Sequence, residues 1–162
     1  MVASCPRRKT LEPAPGKRAG REEAPVSEEI KALVRRQEED LFGRGSLELA
    51  DEIYAPDYVG HDPSNSGDVR GLQAAKQAAA DYRRAFPDLR VTVEDLIAEE
   101  DKVAARLRVR GTHLGDLNDI APTGRRVDFT GIVISRVERG RIAEDWANFD
   151  DLGMMRQLGV IP

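Results

Sequence analysis

The sequence has few of the residues that cross-link a chain or bind a structural metal. Its 162 residues include one cysteine, Cys5, and two histidines, His61 and His113. A single cysteine cannot form an internal disulfide, and two histidines do not make a Cys/His cluster at zinc spacing. We therefore expect neither a disulfide nor a bound metal.

Long apolar runs and a sustained basic face are also missing. No stretch approaches the roughly 20 apolar residues of a membrane span, and the N-terminus has basic residues but no apolar signal-peptide core. We therefore expect a cytoplasmic protein with no membrane partner. The 25 basic and 29 acidic residues give a formal net charge of −4. Outside the N-terminus the two signs are mixed, which argues against a nucleic-acid partner.

The length predicts one domain preceded by a tail. Residues 1–26 hold four of the nine prolines, six basic residues and few bulky apolar side chains. Such a segment cannot repay the entropy of ordering the chain, so we predict a disordered tail at 1–26 and a single domain at 27–162. An arm that reaches a partner subunit is the alternative role for the tail.

Three helices are predicted first along the domain. Ser27 can cap a helix with acidic residues in its first turn and apolar residues at helical spacing as far as about Gly43. Ser46 opens a shorter helix, with Tyr54 on its apolar side, which Pro56 ends. A third helix follows a Gly, Pro, Ser and Asn loop and stops before Pro87.

After Pro87 the apolar period changes from the helical one to two. The stretch LRVTVEDLIAEEDKVAARLRVRGTHL predicts two strands around an acidic turn, and RRVDFTGIVISRV with RIAEDWANF predicts a second hairpin. DLGMMRQLG adds a short terminal helical turn. Helices followed by strands predict an α+β fold, with the helices on one face of a curved antiparallel sheet.

The only tryptophan lies in a strand framed by acids, GRIAEDWANFDD. Side chains of a strand alternate between its faces. Ile142, Glu144, Trp146, Asn148 and Asp150 should therefore share one face, opposite Ala143, Asp145, Ala147 and Phe149. An aromatic body beside carboxyl and amide groups is typical of a polar-ended pocket, but it also fits a sheet face that runs from core to solvent.

Five stretches resemble the successive motifs of the SnoaL-like polyketide cyclases, which belong to the NTF2-like group. They are APDYVGHDP, RAFPDLRV, VRGTHLGDL, APTGRRVDFTG and GRIAEDWANFD, in the order of that family. The resemblance implies an α+β cone in which helices close over a curved sheet around a deep apolar pocket, usually in a homodimer. It also implies a small hydrophobic polyketide-like substrate and no cofactor.

The resemblance implies that an acid in the pocket is the catalytic acid and base for an intramolecular aldol closure. We match it to Asp150, the last acid of an E-x-W-x-x-x-D pattern formed with Glu144 and Trp146. A solvated strand end is the other interpretation of Asp150. Asp145 should point to the exterior. Asn148 is expected to donate to a substrate oxygen, although holding a loop is its simpler role.

Both histidines lie in family-like motifs, and each can exchange a proton near neutral pH. We therefore include His61 and His113 as candidate catalytic residues beside Asp150, with a structural role as the alternative. We expect the substrate to contact Trp146, Asn148 and three further aromatic side chains, Tyr58, Phe86 and Phe129. Three alternating arginines, Arg106, Arg108 and Arg110, are typical of the exposed side of a sheet.

Three kinds of function remain open. The first is an ester cyclase that closes a ring in a polyketide-derived ester without a cofactor. The second is another reaction on the same scaffold, such as isomerisation, epoxide hydrolysis or hydroxylation, because a fold does not determine a reaction. The third is a binding protein without catalysis. The loop GDLNDIAPTG departs from the family pattern near the expected pocket entrance, which leaves substrate choice open.

Overall fold

The computed structural model describes residues 23–65 and 67–162. It has four helices and six strands: α1 (Glu23–Arg35), α2 (Ala50–Ile53), β1 (Tyr54–His61), β2 (Val69–Arg70), α3 (Leu72–Ala85), β3 (Arg90–Glu99), β4 (Lys102–Thr112), β5 (Arg126–Glu138), β6 (Arg141–Phe149) and α4 (Asp151–Leu158). The predicted α+β class is confirmed. Within the described residues no helix is long and apolar enough to cross a membrane.

The first helix is longer and less regular than the sequence predicts. It begins at Glu23, so Ser27 lies inside it and is not its cap. The rest of the predicted tail, residues 1–22, lies outside the described residues. After Arg35 the chain continues as a seven-residue π-helix, Arg36–Phe42. A π-helix is wider than an α-helix and occurs frequently at functional sites.

The six strands form one open sheet in the order β2-β1-β6-β5-β4-β3. Both predicted hairpins are present as the antiparallel pairs β3–β4 and β5–β6. Strands β3 to β6 form the predicted antiparallel sheet, and β1 joins it by pairing with β6 in parallel. The helix expected to reach Pro56 ends at Ile53, and Tyr54 already belongs to β1.

Alternating side chains give the sheet an inner and an outer face. Along β4 and β5 every second residue is buried. The inner face is apolar and packs under the helices, with Val103, Ala105, Leu107, Val133 and Val137 in its main cluster. The predicted arginines are on the outer face, where Arg106 pairs with Glu94, and Arg108 and Arg110 pair with Asp128. Irregular register in β1, β3 and β6 helps the sheet to curve.

Helix α4 closes the second apolar cluster of the domain. Met154 and Leu158 of α4 pack there with Phe86 and Phe129. Asp150 caps the helix, because its Oδ1 accepts a hydrogen bond of 2.8 Å from the backbone N–H of Gly153. The space between this cluster, α3, the π-helix and the inner face of the sheet is the pocket described next.

Candidate active site

One deep pocket lies between the helices and the inner face of the sheet. Its walls come from the π-helix, β1, α3, β3, β4, β5, β6 and α4. With its open mouth included, it encloses about 1010 Å³. Aromatic and aliphatic side chains dominate the lining, including Phe42, Tyr82, Phe86, Val91, Phe129, Val133, Phe149 and Met154. A pocket of this size and character suits a flat, largely apolar ligand held by a few polar groups.

The strand β6 presents the face opposite to the predicted one. Asp145, Ala147 and Phe149 line the pocket, whereas Trp146 and Asn148 do not. From Glu144 to Phe149 the side chains alternate, but the inner and outer faces are exchanged. Ile142 departs from the predicted set, because the register shifts at Ala143 and Ile142 pairs with the inward Val137. The small side chain of Ala147 leaves room for the cavity, and Ser135 and Val133 of β5 face Asp145 and Ala147 directly. The prediction that Asp145 points outward is therefore wrong.

Asp145 is the polar centre of the pocket. Its side chain is buried, with the residue only 4% exposed. Oδ2 accepts hydrogen bonds from Gln37 Nε2 at 2.5 Å and from the Tyr58 hydroxyl at 3.0 Å. Oδ1 is buried and has no hydrogen-bond partner within the described residues. One oxygen is thus held in place by two donors, while the other is a buried acceptor without a partner among the described residues.

The surroundings of Asp145 favour a proton-accepting carboxylate. Burial raises its pKa to about 6. Hydrogen bonds from Tyr58 and Gln37 oppose this shift without cancelling it, and the charge of Glu144 adds to it. The clearest bond of the Ser135 hydroxyl is to Gln37 Oε1, at 3.4 Å, although Ser135 also lies directly across the ladder from Asp145. A carboxyl with such a pKa is mostly ionised at neutral pH and is a stronger base than an exposed aspartate.

The π-helix contributes two adjacent polar residues to this site. Gln37 and Glu38 are both buried. Gln37 holds Asp145, while Glu38 lines the pocket. Burial, and then the negative charge of Asp145, raise the pKa of Glu38 to about 8. Glu38 is therefore mainly protonated at neutral pH.

Tyr58 reaches Asp145 because the neighbouring position has no side chain. Gly60 pairs with Asp145 in the β1–β6 ladder, and a Cβ atom at Gly60 would lie 2.6 Å from the Tyr58 hydroxyl. Tyr58 packs against Tyr54, with ring centroids 4.3 Å apart. Burial is the largest of the effects that raise the pKa of both tyrosines, so they remain neutral donors.

His61 is at the pocket wall, but both of its ring nitrogens are already bonded. Nδ1 lies 2.8 Å from Asp68 Oδ1, and Nε2 lies 2.9 Å from Glu144 Oε1. These two bonds, that with Glu144 first, raise the pKa of His61. Its ring stacks on Trp146 with centroids 5.7 Å apart. The geometry is that of an imidazolium that joins the loop after β1 to the outer face of β6.

His113 lies outside the pocket lining and is fully buried. Its Nδ1 accepts a hydrogen bond of 3.2 Å from the Thr123 N–H and lies 3.1 Å from the Thr123 hydroxyl. Its ring packs against Phe86 at 5.3 Å. The structure thus places His113 where it fastens the loop before β5, away from Asp145.

The remaining predicted site residues divide into two groups. Tyr58, Phe86 and Phe129 line the pocket where the sequence placed them. Asp150 and Asn148 are exposed and do not line the pocket, and Asp150 is the cap of α4. The predicted place of Asp150 in the pocket is therefore wrong. Its position as the residue immediately before a helix, three residues ahead of Gly153, is the signal that would have indicated a cap.

The site residues missed from the sequence have a common signature. Gln37 and Glu38 follow Val34 by three and four residues and precede Leu41, so they occupy core positions of the apolar stripe. Ser135 occupies an inward position of β5 between Val133 and Val137. Polar residues at such positions are costly unless they have a partner or a function.

The curved open sheet and its covering helices define the NTF2-like class of fold. The family model for SnoaL-like polyketide cyclases matches residues 32–158. The chain therefore belongs to the SnoaL-like polyketide cyclase family. The expectation of an enzyme of the ester cyclase type is thereby confirmed.

Curated relatives and solved structures agree with this assignment. The nogalonic acid methyl ester cyclase of Streptomyces nogalater is 31% identical over 122 residues, which cover 73% of this chain and 89% of the relative. The aklanonic acid methyl ester cyclase DnrD of Streptomyces peucetius is 31% identical over 135 residues, covering 78% and 88%. The structure of TsrD from Streptomyces laurentii superposes with a TM-score of 0.71 at 28% identity, covering 85% of this chain and 97% of TsrD.

Proposed function

We propose that this enzyme closes a ring in a polyketide-derived ester by an intramolecular aldol reaction, with Asp145 as the catalytic base. The observation that carries the proposal is the buried Oδ1 of Asp145, which has no partner in the described chain and belongs to a carboxyl that lines the pocket. This replaces Asp150, whose carboxyl binds a helix N-terminus instead.

The reaction begins with proton removal. Asp145 takes a proton from a carbon that lies between carbonyl groups of the substrate, and the C–H electron pair becomes an enolate. The enolate carbon attacks a ketone carbon of the same molecule, which forms the new C–C bond and moves the π electrons to oxygen. Protonation of that alkoxide completes the reaction. No electrons enter or leave, so the step consumes no redox cofactor.

The donors around Asp145 have a defined role in this scheme. Gln37 and Tyr58 bind Oδ2 and orient the carboxyl, which directs Oδ1 to the ligand. Burial removes water that would stabilise the carboxylate, and this increases its basicity. Such positioning and pKa matching are the usual requirements of general base catalysis.

The charges of the pocket favour an ester over a free acid. Among the described residues, the acids that line it are Asp62, Asp145, Asp151 and the mainly protonated Glu38, and the one possible cation is His61. No lysine or arginine of the described chain lines it. A substrate carboxylate would meet like charges in a poorly hydrated space, whereas a methyl ester is neutral and apolar. The names of both curated relatives specify methyl ester substrates.

The direct test is turnover of aklanonic and nogalonic acid methyl esters by paired variants. Asp145→Asn keeps the shape of the side chain and should lower the rate of ring closure by about 100-fold to 10,000-fold. Asp150→Asn is the matched control and should retain nearly the wild-type rate. If Asp150→Asn abolishes turnover and Asp145→Asn does not, the base has been assigned to the wrong carboxylate.

We further propose that the enzyme is a homodimer through the outer face of its sheet. Ile132 and Ile134 are exposed there beside the indole of Trp146, and the flanking side chains carry both signs of charge. Such a face can pair with a second copy of itself, because each arginine can meet an acid of the partner. Light scattering should give twice the chain mass, and Ile134→Glu should give the single-chain mass. A monomeric wild type at tens of micromolar would contradict the proposal.

A further inference from the structure

We propose that Glu38 is a second catalytic acid, which donates a proton to the oxygen of the ketone that the enolate attacks. This inference rests on the proposed aldol reaction and adds a residue to it. Asp145 would then remove the proton from carbon, and a separate carboxylic acid would supply one to oxygen.

The placement of Glu38 gives it access to a ligand. It is 4% exposed, lines the same pocket as Asp145 and follows Gln37, which contacts Asp145 directly. No hydrogen-bond donor in the described chain reaches its carboxyl group, in contrast to the neighbouring Glu39, which accepts from the Val93 N–H and from Arg35. Because no acceptor among the described residues binds it either, the O–H of the protonated carboxyl can donate to an acceptor on a bound molecule.

The charges around Glu38 favour its neutral form. It faces Asp145 from β6 and the hydroxyl-bearing rings of Tyr54 and Tyr58 from β1, and these groups interact electrostatically. The apolar residues Val91 of β3 and Ala75 and Ala78 of α3 line the same pocket. Tyr82 of α3 is also titratable, but its pKa is raised by burial and then by the charges of Asp62 and Asp151, not by Glu38. The ionised Asp145 thus opposes a second negative charge, in agreement with the raised pKa of Glu38.

The two carboxyls divide the proton transfers in a balanced cycle. Asp145 gains the proton from the substrate carbon, and Glu38 gives its proton to the new alkoxide as the C–C bond forms. The enzyme is left with a protonated Asp145 and an ionised Glu38. Return of one proton from Asp145 to Glu38, directly or through water, restores the starting state. Pairs of carboxyls with separated pKa values perform such divided roles in other enzymes.

A purely structural or tuning role for Glu38 makes a different prediction. If Glu38 only adjusts Asp145, Glu38→Gln should move the acidic limb of the pH–rate profile and leave the alkaline limb in place. If Glu38 donates the proton, its removal should eliminate the alkaline limb and leave the acidic limb near its wild-type position. The pH profile therefore separates the two roles.

The experiment measures kcat between pH 5 and pH 10 with aklanonic acid methyl ester for wild type, Glu38→Gln and Glu29→Gln. Glu29 is an exposed acid of α1, the helix that leads into the π-helix, and is the matched control. We expect Glu38→Gln to lose about 100-fold in kcat at neutral pH and to lose the limb near pH 8. Carbon-13 labelling of glutamate carboxyls should show one resonance that titrates near pH 8 and is missing only in Glu38→Gln.

Two results would overturn the inference while the proposed reaction stands. They are a Glu38→Gln enzyme that keeps the alkaline limb, and a labelled wild type with no glutamate titrating between about pH 7 and pH 9. In either case Asp145→Asn would still be inactive. An inactive wild type or a fully active Asp145→Asn would instead reject the proposed reaction, and the role of Glu38 would fall with it.

Discussion

Two neighbouring acids of β6, Glu144 and Asp145, show how the two faces of the sheet create different chemistry. Glu144 is on the outer face, where it pairs with His61 and Arg136, and these cations lower its pKa. Asp145 is on the inner face, where it has neutral donors and a dry pocket, and burial raises its pKa to about 6. The pKa values of these two adjacent carboxyl groups are thus shifted in opposite directions.

The partners of an acid decide its role. A carboxylate held by a histidine and an arginine is stabilised as an anion and is a poor base. A carboxylate held by an amide and a phenol keeps its affinity for a proton. In the proposed reaction the inner face therefore provides the base, while the outer face has ion pairs that join the loop after β1 to the sheet.

Turnover should distinguish Glu144 from Asp145 more strongly than any other property. Glu144→Gln should change the rate of ring closure by less than about tenfold, whereas Asp145→Asn should lower it by about 1,000-fold, because only Asp145 exchanges a proton with the substrate. Steady-state kinetics on the two variants measure the contrast. Equal losses of turnover in the two variants would show that the two faces do not differ in their role in the reaction.

The two buried acids should also make the stability of the protein depend on pH. The folded-state pKa values of Asp145 and Glu38 are raised above their ordinary values, so the native state binds more protons than the unfolded state. Their stabilising contribution is present at acidic pH and is lost as pH rises to about 6 for Asp145 and about 8 for Glu38. Asp68 of the loop after β1 and Glu144 of the outer face have lowered pKa values, so their contribution is lost as pH falls instead.

Urea unfolding across this pH range tests the linkage. The free energy of unfolding of the wild type should fall between pH 6 and pH 8, by an amount on the order of 2 kcal/mol. Glu38→Gln should flatten this decrease and be the more stable protein at pH 8. Glu144→Gln should keep the wild-type slope, and a flat wild-type curve would show that Glu38 is ionised in the native state.

A smaller effect is expected from the close approach at Gly60. A methyl group there would displace the Tyr58 hydroxyl, so Gly60→Ala should weaken its bond to Asp145 and lower turnover by about tenfold. Gly67→Ala is the control, because a Cβ at Gly67 meets no described atom within 4 Å. Wild-type turnover by Gly60→Ala would show that Tyr58 contributes little to the base.

The smallest effect concerns His61. Because both of its nitrogens bind outer-face or loop carboxylates, His61→Gln should lower turnover by no more than about fivefold. Hydrogen exchange of the residues around Asp68 should become faster, since the link from the loop to β6 is lost. A loss of turnover as large as that in Asp145→Asn would show that His61 is a catalytic residue.

Much of the fold follows from local patterns, because each pattern has a direct physical cause. The period of two after Pro87 predicts both hairpins, and the five motifs predict the family. The parallel pairing of β1 with β6 depends on contacts between distant segments, which local periodicity does not contain. The widened turn at Gln37 and Glu38 is likewise invisible to a pattern that assumes 3.6 residues per turn.

The candidate site was predicted less well than the fold, and β6 shows why. Alternation divides its residues into two sets but does not say which set faces the core. The large aromatic side chain of Trp146 favours its face as the pocket wall, yet the indole packs on His61 at the outer face. The smaller residues around Asp145 leave the space that a pocket requires, and the inward Ser135 on β5 was the available indication of polarity there.

The measurement that most directly tests the role of the inner face is the carboxyl titration of Asp145 alongside the pH dependence of kcat/KM. Carbon-13 labelling of aspartate carboxyls in wild type and Asp145→Asn identifies the resonance. We predict that it titrates near pH 6, at the same pH as the acidic limb of kcat/KM, and that both are missing in Asp145→Asn. An Asp145 resonance that titrates near pH 4, or an acidic limb that persists in Asp145→Asn, would contradict the assignment of this residue as the base.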